Sequence, residues 1–546
     1  MALGLLIAGI SLRLLYIQHY RIDSDEPQHL HVVWAWTQGL LPYRDVFDNH
    51  SPLFQALSAP LFRFFGERPD IVLPMRLTEL PLYVLSVLCV WRLAARFCEP
   101  KVAMWTGVIT ALLPPWFLAS IEFRPDQLWT LCWLLILLTA GSQTRSLSRS
   151  FGFGALLGLS FCVSMKSTLF ALALGQAAIA QFIFQWRADR RLLWKGLGRH
   201  LGAVLAGLSI PPSLVWLYFV RHHATGDFIY GVIGHNVLPG SGGHIMGLTA
   251  LIRWSAGAAI AGAAGWAITR TPLPQEKRKQ FALLFFSNWF YLLSLLAFWP
   301  VVTMEDHLPW LPSSTLLGVP VLFWLAGRSL PRLLPGAGGL LGMAEFLWLF
   351  ATVLPWQDDT GNKIGMVADT LKLTAPGDFV MDSKGETIYR RRPFRYVLES
   401  RTFQRLKRGW LVDDIPDRLA RTRTPLATLQ RMPRLARTLI RSNYIPIAYR
   451  LRVAGKMIRN QPVSAGEHCA FEVVVPQRYA LITPSGVPAG SLDDRPFDGP
   501  RELGPGMHLF IPSKPAGEIA LIWAPALERG YSPFAEIKHS STTAQD

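Results

Sequence analysis

Charged residues are few in this 546-residue sequence. Asp, Glu, Lys and Arg supply 17% of it, where a soluble chain carries nearer a quarter, and the deficit falls on the first two thirds. That excludes an ordinary soluble enzyme over residues 1–355. Cysteine is sparse as well. Of the five, Cys89, Cys98, Cys132 and Cys162 lie in or beside apolar runs and Cys469 stands alone, so no disulfide framework is expected. The N-terminus lacks a basic leader and a small-residue cleavage site, and Arg13 interrupts its apolar run, so we expect a span rather than a cleaved signal. There is no internal repeat and no low-complexity tract. Acidic residues are outnumbered, 37 against 54 basic, for a net charge of +17. A nucleic-acid partner would suit that charge, but the many apolar runs argue against one.

What is abundant is hydrocarbon: 51% of residues are apolar, with 20 Trp and 31 Phe. Runs long enough to cross a bilayer, about 17–25 residues, fall near 2–20, 70–91, 102–120, 127–141, 151–165, 167–185, 201–220, 247–269, 280–299, 308–327 and 336–355. The fifth and sixth are short and meet at Met165-Lys166-Ser167, as two abbreviated spans or one broken helix. Basic residues gather in alternate loops: Arg92, Arg96 and Lys101; Arg145 and Arg149; Arg187 to Arg199; Arg270 to Lys279; Arg328 and Arg332. Those loops define a cytoplasmic face. About eleven spans then place the loop after the first span, the loops at 121–126, 222–246 and 300–307, and the C-terminal part outside.

The expected fold is mainly α: a polytopic transmembrane helical domain over 1–355, then a small mixed α/β extracytoplasmic domain over 356–546. In the first outer loop, Glu26 to Gln38 reads as a helix ended by Gly39, and Ser51 to Phe65 as a second amphipathic helix. Both are expected to lie on the membrane surface. In the C-terminal domain, β-rich runs occur at Phe379-Val380-Met381, Phe471–Val475, Tyr479–Ile482, His508–Ile511 and Ile519–Trp523. Between them an Arg-rich stretch, 390–459, is expected to be largely helical. It holds nineteen Lys and Arg against four acidic residues. It reads either as a solvated basic face or as a surface for anionic lipid or an anionic acceptor.

Chemistry concentrates where the first span ends, at Asp23-Ser24-Asp25-Glu26-Pro27-Gln28-His29-Leu30-His31. Asp25 and Glu26 at a helix start read with equal weight as capping residues or as catalytic carboxylates. In the second reading Asp25 is a general base on an acceptor hydroxyl, and Glu26 with His29, three apart and so on one helix face, is a candidate holder of a divalent cation. Arg44, Asp48 and His50 follow in the same loop. Glu122-Phe123-Arg124-Pro125-Asp126 is either a helix-ending ion pair or an arginine fork aimed at phosphate. Lys166 is either an interfacial lysine or an intramembrane one with a carboxylate partner or a substrate path. Glu305-Asp306-His307 opens the 308–327 segment, and His307 suits a phosphate, a metal or a helix cap.

These motifs together resemble the GT-C superfamily of membrane glycosyltransferases, in particular bacterial relatives of protein O-mannosyltransferases and of the lipid A aminoarabinose transferase. The resemblance is carried by Asp25-Glu26 just after the first span, Gly39 through Tyr43 to Pro52-Leu53, Arg124-Pro125-Asp126, Lys166 and His307-Leu308-Pro309. It implies transfer of a sugar, with inversion, from a polyprenyl-phosphate carrier to an acceptor glycolipid, polysaccharide or protein at the outer face of the cytoplasmic membrane. It places the catalytic carboxylate at Asp25. The donor phosphate falls to Arg124, Lys166 and His307, with Asp126 and Asp306 beside them. Where the aminoarabinose transferases show Glu-Lys-Pro-Pro, this chain has Asn49-His50-Ser51-Pro52. The lysine expected at the phosphate is absent, and His50 or Arg44 is left to substitute. The competing readings are a transporter or flippase of lipid-linked precursors, with Lys166 and Asp126 lining its path, and a lipid- or envelope-binding scaffold. The carboxylates gathered at one surface favour the enzyme.

Overall fold

In a computed structural model, described for all residues except 142–145, 186–195, 239–247, 271–273, 300–301, 330–333 and 536–546, each of the eleven apolar segments falls on helix. Among the described residues seven helices are long and apolar enough to cross a membrane, from Ala2–His19 (α1) to Trp310–Ser329. Pro125–Ala140, Leu147–Val163 and the apolar stretch Gly336–Thr352 are shorter. The segment at 102–120 breaks into Pro100–Leu112 and Pro114–Ala119, since two consecutive prolines remove the amides that would continue the helix. At 163–168 the chain extends through Ser164 and makes one 3₁₀ turn, Met165–Ser167, which puts Lys166 in a helix break. Of the loop cations expected on the cytoplasmic face, Arg145, Arg187, Arg190, Arg191, Lys195 and Arg332 lie outside the described residues, as does the 239–246 part of the 222–246 loop.

The chain divides into two compact units. The first comprises Met1–Tyr20, Asn49–Ser58 and Leu73–Asp358, and the second Arg21–Asp48, Ala59–Val72 and Asp359–Asp546.

The first unit is a helical bundle. Its centre is aromatic: Phe170 stacks between Trp129 and Trp133, with centroids 4.7 and 4.5 Å away. Leu147–Val163 crosses Leu197–Arg221 on glycines. A Cβ on Gly154, Gly158 or Gly207 would come within 2.4 Å of a backbone oxygen of the opposite helix, so only hydrogen fits there. Two arginines inside the bundle are met by main-chain carbonyls. Arg13 is fully buried and donates to the Phe117 carbonyl and to Ser120 Oγ, both at 3.0 Å, with its guanidinium 4.0 Å above the Tyr83 ring. Arg76 donates to the carbonyls of Ile17 and Tyr20, two of those left open where α1 ends.

The second unit carries the strands. Val380–Met381 (β1), Leu426–Ala427 (β2), Tyr444–Ala448 (β3), Leu451–Arg459 (β4), Cys469–Val473 (β5), Gln477–Ile482 (β6), Gly490–Leu492 (β7), Arg495–Pro496 (β8), Arg501–Leu503 (β9), Gly506–Pro512 (β10) and Ile519–Trp523 (β11) form two sheets. One runs β1-β2-β4-β11-β6-β9 with β3 also on β4, and the other β5-β10-β7-β8. β11 is buried at all five positions, as a central strand covered on both faces must be. The Arg-rich stretch is helical only as far as Asn443. Beyond it β3 and β4 form a hairpin, and the alternation of Leu451 and Val453 with Arg450 and Arg452 that makes β4 a strand is masked by the charge.

Helix α2, Asp25–Thr37, sits where expected, and Gly39 at φ 72° ends it. Its environment differs from the expectation of a helix lying on the membrane: every residue from Glu26 to Ala35 is buried. The 382–388 loop shows why, for it closes over His31 from within the same unit. Helix α3, Leu53–Phe65, does expose an apolar side, at Leu57, Leu61 and Phe64.

Candidate functional site

The start of α2 separates capping from chemistry. The Asp23 carboxylate accepts the Asp25 amide at 2.9 Å, and Glu26 reaches back to the Asp23 amide, also at 2.9 Å. These reciprocal bonds satisfy amides that a helix start leaves open. Capping is therefore done by Asp23 and Glu26, and Glu26 is fully buried. The Asp25 carboxylate is directed elsewhere, onto the ammonium of Lys384. Its side chain keeps 25% of its surface exposed and that of Lys384 keeps 7%.

Lys384 was not among the residues that the sequence pointed to. It lies 359 positions from Asp25 in the loop Asp382-Ser383-Lys384-Gly385-Glu386-Thr387, just after β1. The loop is tightly determined. Asp382 accepts the amides of Gly385 (2.6 Å) and Thr387 (2.9 Å) and the Thr387 hydroxyl (2.7 Å), and it pairs with Arg392 at 3.0 Å. Glu386 accepts the Lys384 amide at 2.9 Å and the Ser383 hydroxyl. Gly385 has φ 90°, and a Cβ there would lie 2.7 Å from the His31 side chain. Ile388, a β-branched residue, is held at φ 60°, and its carbonyl bonds His31 Nδ1 at 2.7 Å. A bulky side chain in that conformation is strained and persists only where its surroundings impose it. The sequence signal was the turn chemistry of Asp382 and Gly385 behind a short strand.

Protonation around this loop follows burial. His31 is pushed down to about 4, chiefly by burial, against the pull of the Ile388 carbonyl. Burial lowers Lys363, whose ammonium donates to the Ile22 carbonyl, although Glu26, Asp23 and Glu386 oppose the shift. Burial and the neighbouring Asp382 raise Glu386. With Ser24, Arg431 and Arg450, Lys363 and Glu386 line a cavity of about 40 Å³, room for a water or two.

The first unit brings together another group of the expected residues. Arg124 Nε donates to Asp126 at 3.1 Å and its Nη1 to Glu305 at 2.9 Å, with Glu122 at 3.5 Å. Lys166 pairs with Asp306 at 2.5 Å and Asp126 at 3.7 Å. Glu122, Asp126 and Asp306 are buried. Burial alone would raise Glu305, but Arg124 and the Thr303 hydroxyl outweigh it and hold Glu305 below its ordinary value. Two cations thus face four carboxylates, and this cluster has no surplus positive charge to offer a phosphate. The half-buried His307 sets its ring edge-on to Trp310, 6.4 Å between centroids.

The remaining candidates are spread between the units. In the second, Arg44 is exposed and pairs with Asp45 at 3.2 Å, while Asp48 and His29 are buried. Between them Tyr43 is buried at φ 70°, its carbonyl accepting from Arg395. In the first, His50 is half-buried next to Asn49, whose carbonyl accepts from Asn236 at 2.7 Å. Glu26 and His29 do not gather further donors: among the described residues no three of His, Cys, Asp and Glu are placed to hold a metal ion.

The comparisons bear on fold. A family model described as dolichyl-phosphate-mannose-protein mannosyltransferase matches residues 49–216, which include Arg124 and Lys166 but not Asp25. Two crystal structures of ArnT from Cupriavidus metallidurans align over 83% of this chain and 97% of their own. The apo form has 14% identity and a TM-score of 0.57, and the form bound to undecaprenyl phosphate 13% and 0.56. No curated protein matches the chain. The chain thus has a fold like that of ArnT, and the family model matches its 49–216 part.

Proposed function

We propose that the protein is an inverting glycosyltransferase moving a sugar from a polyprenyl-phosphate carrier to an acceptor glycolipid, polysaccharide or protein at the outer face of the cytoplasmic membrane. Residues 1–355 form the catalytic membrane domain, and 356–546 an extracytoplasmic domain that lends Lys384. The observation that carries this reading is the Asp25–Lys384 pair, a part-exposed carboxylate freed from capping and set against a fixed cation. The GT-C fold and the basic residues of alternate loops support the setting. A polyprenyl phosphate as carrier is supported by the undecaprenyl phosphate held by the ArnT structure.

In the reaction Asp25 takes the proton of the acceptor hydroxyl as its oxygen attacks the anomeric carbon. The bond from that carbon to the phosphate oxygen breaks, its electron pair stays on the phosphate, and the configuration inverts. Lys384 supplies a cation for the carrier phosphate. Charge grows on the carrier phosphate as the bond breaks, so a cation fixed there stabilises the transition state more than the bound donor. A carboxylate held by an ammonium is a weak base. A phosphate arriving at Lys384 competes for that ammonium and leaves Asp25 free to accept a proton. Arg44, in the same unit as Lys384, is a secondary candidate for the phosphate. Glu26 holds the helix start, with His29, Asp48, Asp126 and Asp306 as supporting groups.

The test is transfer of a radiolabelled sugar from synthetic polyprenyl-phosphate donors in membranes holding the protein, paired with retention of undecaprenyl phosphate by the purified chain. Lys384→Met is expected to lose transfer and release undecaprenyl phosphate. Asp25→Asn is expected to lose transfer yet hold the phosphate at least as tightly, since the competing carboxylate is gone. Transfer by Lys384→Met at the wild-type rate would remove Lys384 from the mechanism. No transfer from any polyprenyl-phosphate sugar would remove the reaction itself.

A further inference from the structure

The arginines of 390–459 divide by what they touch. Arg390 is buried on Thr374 and the Tyr389 carbonyl, and Arg392 on Asp382, so both serve the unit's own framework. The helix Arg434–Asn443 is different. It turns Ala436, Ile440 and Asn443 inward, and Arg434, Arg437 and Arg441, spaced three and four apart, share its exposed face. With Lys407 they line an open groove of about 680 Å³. Its floor includes Leu406 and Met432, and Asp413 is the one carboxylate on its wall.

The neighbours of the groove residues in sequence are apolar and exposed: Trp410 at 48%, Val412 at 75% and Leu435 at 62%. A free anion in solution would use the charge and leave these three without a role. A bilayer surface uses both, because anionic headgroups attract Lys and Arg while Trp and aliphatic side chains enter the interfacial layer.

We propose that this groove seats the phosphate headgroup of an anionic membrane lipid. Arg434, Arg437, Arg441 and Lys407 meet the phosphate, and Trp410, Val412 and Leu435 enter the headgroup layer beside it. This does not rest on the proposed transfer reaction, and neither Asp25 nor Lys384 takes part.

The full-length protein would carry photoreactive benzoylphenylalanine at Thr438, a groove residue, in nanodiscs of phosphatidylcholine with and without phosphatidylglycerol. Lipid adducts would be counted by mass spectrometry. We expect phosphatidylglycerol to be labelled about tenfold over phosphatidylcholine at low salt, with the preference shrinking as salt rises. It should disappear in the variant Arg434→Gln, Arg437→Gln, Arg441→Gln. It should persist in a control that loses the same charge elsewhere, Arg421→Gln, Arg495→Gln, Arg529→Gln, with thermal stability confirming that both variants fold. Equal labelling of the two lipids, insensitivity to salt, or labelling unchanged in the groove variant would overturn the proposal. Displacement of the lipid by soluble glycerol phosphate at equal strength would overturn it too, making the groove a site for a free anion.

Discussion

Lys166 and Lys384 each place an ammonium on an aspartate, yet the two pairs are built for different ends. Lys166 lies in a helix break with Asp306 and Asp126, beside Arg124 and its own three carboxylates. Asp306 is 1% exposed there and is also committed to the Thr303 amide and hydroxyl, at 2.8 and 3.1 Å. Every charge in that cluster meets an opposite one, and the hydrogen bonds tie three separate stretches of the bundle. The Lys384 ammonium meets the Asp25 carboxylate, which keeps a quarter of its surface open. A closed network holds a fold, because breaking it strands charge away from water. An open pair can be exchanged for substrate.

The largest effect expected is on turnover, from Asp25→Asn. The change keeps the shape and removes the proton acceptor, so transfer should fall by roughly two to four orders of magnitude with thermal stability unaltered. Glu26→Gln makes the contrast: its side-chain oxygen can still accept the Asp23 amide, and turnover should stay within about tenfold of wild type. Initial rates with saturating donor decide both. Equal losses in the two variants would remove the distinction drawn between Asp25 as base and Glu26 as cap.

Lys166→Met should do the reverse. It leaves Asp306 buried near Asp126 without its ammonium, at a cost of roughly 3–5 kcal/mol in stability. Denaturant unfolding in detergent, followed by Trp fluorescence, measures it. A variant as stable as wild type that fails to retain undecaprenyl phosphate would instead make Lys166 a phosphate ligand and dissolve the contrast.

How much of this was legible in the sequence follows from where each signal is stored. Apolar length and the loop cations are local, so the helices, the C-terminal sheets and the position of α2 could be read directly. The break at Met165-Lys166-Ser167 was visible because two short apolar runs meet there. The grouping of Arg124 with Lys166 followed from their shared place at segment ends. The fully enclosed environment of α2 was not readable, since its Trp and Val residues suit a protein interior as well as a bilayer surface. Lys384 was out of reach for a different reason. Its meaning lies in a pairing across 359 residues, and locally it is one more cation in a basic domain. The hairpin Tyr444–Arg459 was hidden by arginines that alternate with its buried residues.

The second unit's loop has a pH limit set by His31. His31 is buried against Ile388 and also faces Arg392, Glu386 and Asp48. Its folded pKa of about 4 lies below that of an unfolded histidine, so the unfolded chain takes up the proton first as pH falls. The stability held through neutral His31 is complete above about pH 6.5 and drains between there and about pH 4. At pH 5 the loss should be about 2 kcal/mol. His31→Asn keeps an N–H for the Ile388 carbonyl without the titration, so its stability should fall less between pH 7 and 5. Thermal unfolding at the two pH values gives the difference. Identical slopes would mean that His31 is already protonated where it sits.

The smallest effect belongs to Arg124→Lys, which probes the closed cluster without opening it. The guanidinium reaches Asp126 through Nε and Glu305 through Nη1, two directions fixed by one plane. An ammonium has the same charge at a single point and can satisfy one of these carboxylates well. Asp126 retains Lys166 at 3.7 Å, and an ammonium would stay beside Glu122 and Glu305, so the full cost of a broken buried pair does not apply. What remains is one charge-assisted hydrogen bond lost and partly replaced, about 1 kcal/mol of stability. Turnover should change by no more than that loss implies, since the cluster offers no spare charge to the phosphate. If Arg124→Lys instead abolished transfer with stability intact, the fork would be touching substrate. The first unit's cluster would then belong to the active site rather than to the frame that carries it.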